Sequence, residues 1–569
     1  MPPIEDAPQR SACSLDLPSV NVYARRAFLR RLIGVGGGLA LTGLLAACGA
    51  PAPAGTSPTA AAGGGAPNAT PGAAAAPNAT TTAAGAPSGT PKRGGTLKVA
   101  LNSDIIGIDP HGASAGVDRN VYTAVYNGLV VPDKNLNIVP DLAESWTTPD
   151  TRTYIFKLRP NVKFHDGTPC DADAVKKNFD WILDPANASP RKPEIDDIEQ
   201  VTVVDPLTVK ISLKTAFAPF LSIISDRAGY IVSPTARAKF GKDYPRNPVG
   251  TGPFQFVEWI KDDHATFKRF EGYFESGIPY LDQITYRPIP DLSVALTELK
   301  TGNVDFLYQV DPKDVQDIKS TANVVYLEGP GVGYQGLWIN TARGPLANKA
   351  LRQAVNLAVD REALLAAAYF GVGQIAQGPI PPSSFAYDPN VSYVKRDLAA
   401  AKQKLAEGGQ PNGFRMVLKA QSNSPLQEKI TQLVQAQLGE AGIQAEIQTI
   451  EFGALLKVGE QGDFDALSLG WSGRIDPDGN IEPIFQTKGA FNYGKYSSQE
   501  VDDAIVKERD ASDQATRKQI LQQIQKTIND DAAYVFTYFP PTSFAAVSAV
   551  QGFQVTPDGL MRFKATWKA

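Results

Sequence analysis

Strand and helix signals interleave from residue 94 to the end of the chain, and that alternation predicts an α/β protein. Two observations carry the prediction. Alternating apolar and polar residues recur at 96–100, 154–158 and 207–213, the period of a strand. Elsewhere apolar residues repeat at intervals of three and four with capping residues at the ends, the pattern of amphipathic helices.

In chain order, the first element lies outside that fold. A basic cluster, Arg25-Arg26-Ala27-Phe28-Leu29-Arg30-Arg31, precedes a weakly apolar stretch over 32–47 that closes on Leu45-Ala46-Ala47 before Cys48. A charged region, a short apolar region and a small-residue cleavage site make an export signal. The stretch falls short of the about 20 residues that span a bilayer, and Gly34, Gly36, Gly37, Gly38 and Gly43 dilute it. A cysteine at the cleavage point resembles a bacterial lipobox, whose thiol is lipidated and becomes the mature N-terminus. Two or more acyl chains would tether the protein stably to a membrane. Arg25-Arg26 followed by Phe28-Leu29 resembles a twin-arginine export signal. Ala24 and Arg30 depart from that pattern, so secretion as an unfolded chain stays open.

Residues 48–93 read as a disordered linker. They hold the near-repeats Ala66-Pro67-Asn68-Ala69-Thr70 and Ala76-Pro77-Asn78-Ala79-Thr80, with no charge before Lys92 and almost no bulky side chain, so they cannot bury a core. A flexible coil of this length averages roughly 40 Å end to end. Globular sequence starts at Gly94-Gly95-Thr96-Leu97-Lys98-Val99-Ala100, a strand. Further on, Leu292, Ala295, Leu296 and Leu299 share a helix face, with Asp291 placed to cap it and Gly302 to end it. A longer helix covers 348–358 and another begins near Asp360. The last buries Ile520, Leu521, Ile524 and Ile528.

At 569 residues, 43% hydrophobic and 20% charged, the chain has room for two to four domains. Residues 1–47 carry five Arg against Glu5, Asp6 and Asp16, a balance of +2; with −4 for the whole chain, the remainder carries −6. A mildly acidic surface argues against nucleic acid, whose binders present a basic face. Of three cysteines, Cys13 leaves with the signal and Cys48 is lipidated, so Cys170 stands alone and reads as a buried residue. His111, His165 and His264 are scattered, without metal-ligand spacing, and neither a metal nor any other cofactor is expected.

Two catalytic signatures are missing too: neither GxxxxGK[ST] nor HExxH stands in the chain. Gly331-Val332-Gly333-Tyr334-Gln335-Gly336 matches GxGxxG, but it runs into Leu337-Trp338-Ile339, a strand, where a dinucleotide site needs a helix. An enzyme is not expected.

A succession of segments then resembles one family in order. They are Gly94-Gly95-Thr96-Leu97 with Ile108-Asp109-Pro110-His111; Tyr126-Asn127-Gly128-Leu129-Val130; Pro140-Asp141-Leu142-Ala143-Glu144-Ser145-Trp146; and Val162-Lys163-Phe164-His165-Asp166-Gly167-Thr168-Pro169. After these come Asn247-Pro248-Val249-Gly250-Thr251-Gly252-Pro253-Phe254, Asn340-Thr341 with Leu351-Arg352-Gln353-Ala354-Val355, and Leu469-Gly470-Trp471-Ser472-Gly473. The chain resembles the family 5 extracellular solute-binding proteins of ABC importers, the dipeptide, oligopeptide and nickel group.

Most of these residues suit structural roles: turn chemistry at 250–253, an accessory domain for 144–146 and 164–167, a core for Leu351 and Val355, and an exposed or paired Arg352. Trp471 suits a core or a cleft by its type, and the resemblance puts its segment on the cleft.

The resemblance implies a two-lobed, periplasmic-binding-protein-like fold of type II, cluster C. One lobe would comprise 94–127, 246–322 and 540–569, an inserted accessory domain 128–245, and the second lobe 323–539. It implies ligand contacts at Trp471, Ser472, Gly473, Arg474, Tyr334 and Ser114. It also implies a monomer outside the cytoplasm that delivers a peptide or peptide-like solute to an ABC permease and ATPase complex.

A non-peptide ligand (opine-like, metal chelate or oligosaccharide) or a sensor role remains a reading of the same fold, and a membrane-anchored hydrolase is the rival class. One position departs from the dipeptide- and oligopeptide-binding members, in which an Asp three residues after the Trp pairs with the ligand's α-ammonium. Here that position is Arg474, and a guanidinium fork suits a carboxylate instead. Arg474 can otherwise point to solvent or pair with Asp476 or Asp478, and either Asp can take an amine.

Overall fold

A computed structural model describes residues 89–112 and 115–569. The export signal with Arg25 and Arg26, the lipidation candidate Cys48, the linker up to residue 88 and the ligand candidate Ser114 lie outside the described residues.

The α/β expectation holds, and three sheets organise the fold. The first has seven strands in the order Val324–Pro330, Pro541–Val547, Phe306–Tyr308, Thr96–Leu101, Gln283–Pro288, His264–Arg269 and Phe254–Ile260. Thr96–Leu101 is parallel to both its neighbours and buries Leu97 and Val99 completely. Its core is aromatic: Tyr122, Tyr126, Phe254, Tyr286 and Phe306 pack together with almost no exposed surface. Val324–Pro330 pairs antiparallel with Pro541–Val547, so this strand belongs to the first sheet, although the sequence put everything from 323 in the second lobe.

The second sheet has six strands, in the order Gln374–Ile375, Tyr534–Phe539, Gln335–Ile339, Ala466–Ser468, Arg415–Gln421 and Gln444–Ile450. A third, four-stranded antiparallel sheet (Ala143–Asp150, Thr153–Leu158, Thr208–Leu213, Ile198–Asp205) carries the helix Ala172–Leu183 and has its own core, which includes Cys170. The strand direction passes between the first two sheets twice, from Pro330 to Gln335 and from Phe539 to Pro541. The two passages run side by side, since Pro330 pairs with Pro541 and Gln335 with Tyr538.

Helix ends follow the capping chemistry in the sequence. Asp291 accepts from Ser293 N and Val294 N (2.8 and 3.1 Å), Asn348 from Ala350 N (2.9 Å) and Asp360 from Ala363 N (2.9 Å). In Gln514–Asp530, Leu521, Ile524 and Ile528 are buried and Ile520 half-buried. Arg352 differs from expectation. It is buried, its Nε donating to Asp531 O (2.9 Å) and its Nη1 to Leu346 O and Ala347 O (3.1 Å each), so backbone carbonyls from two segments satisfy the guanidinium away from solvent.

Candidate functional site

The segment from Trp471 to Arg474 follows the strand Ala466–Ser468 and is fastened to the passage between the sheets. Tyr334 N donates to Trp471 O (3.0 Å) and Trp471 N to Tyr334 O (2.8 Å), an isolated antiparallel bridge. Asn480, fully buried, completes the joint. Its Nδ2 donates to Val332 O (2.9 Å), while its Oδ1 accepts from Arg474 N (2.8 Å) and Trp471 Nε1 (3.1 Å). Gly473 sits at φ +82°, and a Cβ there would lie 2.2 Å from the Val332 carbonyl, so only glycine fits.

Three of the expected contacts, Trp471, Gly473 and Arg474, thus share one tight loop with exposed Ser472 at its tip. Tyr334 corrects the expectation. Its side chain has no exposed surface, its hydroxyl donates to Asn480 O (3.1 Å), and it packs edge-on against Tyr534 and Phe536. A ring so enclosed supports the loop from behind and reaches no ligand.

Arg474 is the group this joint presents. Its guanidinium lies 4.7 Å from the Trp471 ring centroid, while Phe491 packs against the same indole at 5.3 Å. Nη1 donates to Gly473 O (2.8 Å) and to Ser472 Oγ (3.4 Å), and among the described residues no carboxylate pairs with it. The acids two and four positions on are taken. Asp476 receives two hydrogen bonds from Arg517 (2.7 and 2.5 Å), and Asp478 two from Arg509 (2.8 and 2.9 Å). Burial, with Arg119 and then Arg227 nearby, lowers the Arg474 pKa to about 10, against the pull of Glu194 and Asp226, so it stays charged at neutral pH.

These neighbours come from the other side of the molecule. Arg119 opens the helix Arg119–Val125 and holds Asp226 through Nη2 (2.6 Å) and Nε (3.3 Å). Burial pushes the Asp226 carboxyl up, but Arg119 and Arg227 hold it below its ordinary range. Glu194 pairs with Arg191 and is raised, chiefly by burial and then despite Arg191 and Arg227. Four arginines (119, 191, 227 and 474) therefore face two carboxylates, an electropositive patch suited to an anion. Sequence reasoning found Arg474 alone. Arg119, Arg191 and Arg227 look like any surface arginine in their local sequence, and only the fold brings them together.

Beside this patch lies a cavity of about 670 Å³ whose wall includes Ile475 and Asp476. It opens between the four-stranded domain and the helices of the second sheet, which touch where Ala218 N donates to Arg509 O (2.9 Å).

Two sheet lobes joined by a double passage, an inserted domain and a polar loop at the junction define a two-lobed binding protein of the type II fold. The chain belongs to the bacterial extracellular solute-binding proteins of family 5, whose profile, described as "Bacterial extracellular solute-binding proteins, family 5 Middle", matches residues 137–492. The glutathione-binding protein GsiB of Pectobacterium atrosepticum is 31% identical over 477 residues, 82% of this chain and 93% of that relative. Among solved structures, the ABC transporter-associated periplasmic binding protein DppA from Helicobacter pylori, in complex with the peptide STSA, superposes with a TM-score of 0.74 at 27% identity, covering 84% of this chain and 98% of the other. AgaA from A. tumefaciens R10, in complex with agropinic acid, does so with a TM-score of 0.72 at 28% identity, covering 84% and 99%.

Proposed function

We propose that this protein captures a peptide-like solute bearing a carboxylate between its lobes and hands it, chemically unchanged, to an ABC importer. The observation that carries the reading is Arg474: a half-buried guanidinium over the Trp471 ring, with no carboxylate paired to it among the described residues and with Arg119 and Arg227 nearby. Such a group lacks one bidentate anionic partner, which a ligand carboxylate supplies. The 31% identical relative named as glutathione-binding and the structural neighbours holding a peptide and agropinic acid support a ligand of this kind. Delivery without turnover agrees with membership in a solute-binding family. Tethering through Cys48, after export directed by Arg25 and Arg26, places the lobes outside the cytoplasm within reach of a permease.

Calorimetry with glutathione and short peptides tests the anchor. Arg474→Ala is expected to weaken binding by about 2–5 kcal/mol, the cost of stranding a buried charge partner. Arg474→Lys recovers only part, because it lacks the fork. Equal affinity for a peptide and its C-terminal carboxamide in the unaltered protein refutes the carboxylate anchor. For the tether, Cys48→Ala should leave the membrane fraction or accumulate as precursor. Fatty-acid labelling of the variant as strong as that of the unaltered protein argues against it.

A further inference from the structure

The four-stranded domain meets the rest of the molecule along two seams that are built differently. Against the first lobe it is stitched by backbone, side chains and core together. Ile231 N donates to Asn127 O and His165 N to Gly250 O (2.9 Å each). Asn127 Nδ2 reaches both oxygens of the buried Asp141 (2.9 and 3.0 Å), and Ser189 Oγ donates to His111 O (2.6 Å). Val249 packs against both hydrophobic cores at once. A seam so filled carries the domain along with the first lobe as one body. Against the second lobe the touch is slighter. The helix Gln499–Asp510 brings its carboxyl end to Phe217-Ala218, where Arg509 O accepts from Ala218 N (2.9 Å) and the Arg509 guanidinium lies 5.3 Å from the Phe217 ring centroid. The last carbonyls of a helix lack partners within it and form the negative end of its dipole, so an N–H supplied from outside satisfies one of them. Both sides of this touch are firmly mounted. Phe217 is buried in the core of its own domain, and Arg509 holds Asp478 (2.8 and 2.9 Å) and Glu482 (3.2 Å).

We propose that Phe217 and Ala218 form a clasp. As the lobes close they catch the carboxyl end of the helix Gln499–Asp510, and the inserted domain thereby sets the balance between open and closed protein. The inference rests on capture between two lobes and adds a contact that favours closing whatever the solute. One backbone hydrogen bond shifts such a balance by roughly three- to tenfold, enough to bias closing and little enough to be released. The free energy of closing enters the affinity for every solute alike, so the clasp tunes capture without reading the cargo. Arg509 has two duties in this arrangement: its side chain holds Asp478, and its carbonyl receives the clasp.

Single-molecule fluorescence energy transfer on the full chain reads the balance, with dyes on Glu199→Cys in the inserted domain and Lys457→Cys in the second lobe. Both positions are exposed, and the native Cys170 is buried. Ala218→Pro deletes the donor N–H, and Ala218→Asp sets a carboxylate against the negative end of the helix. Each should raise the ratio of open to closed molecules by roughly three- to tenfold. Should the proline disturb folding, the aspartate variant carries the test. In a separate protein, Ala218→Cys with Asp510→Cys should cross-link within the chain under mild oxidant. Ratios equal to that of the unaltered protein, or a cysteine pair that stays reduced, overturn the clasp. No solute enters these measurements, so a failed Arg474 anchor leaves them untouched, and a failed clasp leaves the acid-to-carboxamide comparison untouched.

Discussion

Two sets of arginines lie on either side of the loop that follows Trp471, and they are satisfied in different ways. Arg509 and Arg517 reach down from neighbouring helices and close on Asp478 and Asp476 with paired hydrogen bonds, and Arg517 also holds Glu508 (2.7 Å). The guanidinium of Arg474, two residues before Asp476, hydrogen-bonds among the described residues only to its own loop's carbonyl and hydroxyl. Burying a guanidinium is costly unless it is paired, so the first set is architecture, while Arg474, half-buried and without a carboxylate among the described residues, is the group proposed above to meet the ligand. Proximity in sequence did not decide which acid went to which base. The acids pair with arginines of the neighbouring helices, and Arg474 lies near Arg119 and Arg227.

Breaking the architectural side should have the largest effect on stability. Arg517→Ala leaves Asp476 buried and unpaired, and a loss of about 3–5 kcal/mol is expected in chemical denaturation. An intact midpoint would erase the distinction between the two sets. Asn480→Ala removes the side chain that ties Val332, Trp471 and Arg474 together. It should cost about 1–3 kcal/mol of stability, and it should weaken ligand binding as well, since the Arg474 backbone loses its support. A stability loss with unchanged affinity would show that the loop holds its shape without the joint.

Glu508 sharpens the comparison through pH. Burial first, then Asp478 alongside, raises its pKa from the ordinary 4.5 to about 10. A group raised in the folded state contributes stability that is complete below about 4.5 and is lost as pH rises toward about 10. Glu508→Gln, which keeps an acceptor for Arg517, should flatten the fall in stability between about pH 6 and about pH 9 seen by thermal denaturation. A slope identical to that of the unaltered protein argues against a protonated Glu508. The smallest effect belongs to the exposed pair of Arg343 and Asp463 (2.7 Å), where Arg343→Ala should leave the chemical-denaturation midpoint almost unchanged, and a clear shift would count against it.

Much of the fold is legible in the sequence because its signals are local. Asp291, Asn348 and Asp360 cap where their side chains can reach the next free N–H, and the residues after Gly331 form a strand as the continuing apolar run indicates. What escaped is nonlocal. The strand Val324–Pro330 looks no different from its successor, yet its partner, Pro541–Val547, lies more than two hundred residues away and assigns it to the first sheet. Within the site, Arg474 stood out because it replaces an acid in a recognisable segment. Tyr334 escaped because its ring turns inward against Tyr534 and Phe536, an enclosure that no local pattern reveals. Asn480 and the arginines at 119, 191 and 227 carry no local mark at all, since their meaning comes from chain segments that meet only after folding.

The double passage between the sheets behaves like a door on two pins. Two short connections side by side permit a swing about the line through both, while a twist or slide would have to stretch one of them. The Trp471 loop is bolted to one pin, because Tyr334 and Trp471 exchange backbone hydrogen bonds and Asn480 grips Val332. A pull on Arg474 is therefore delivered next to the pivot, where the lever arm is short and a small rotation sweeps the far edges of the lobes through a large arc.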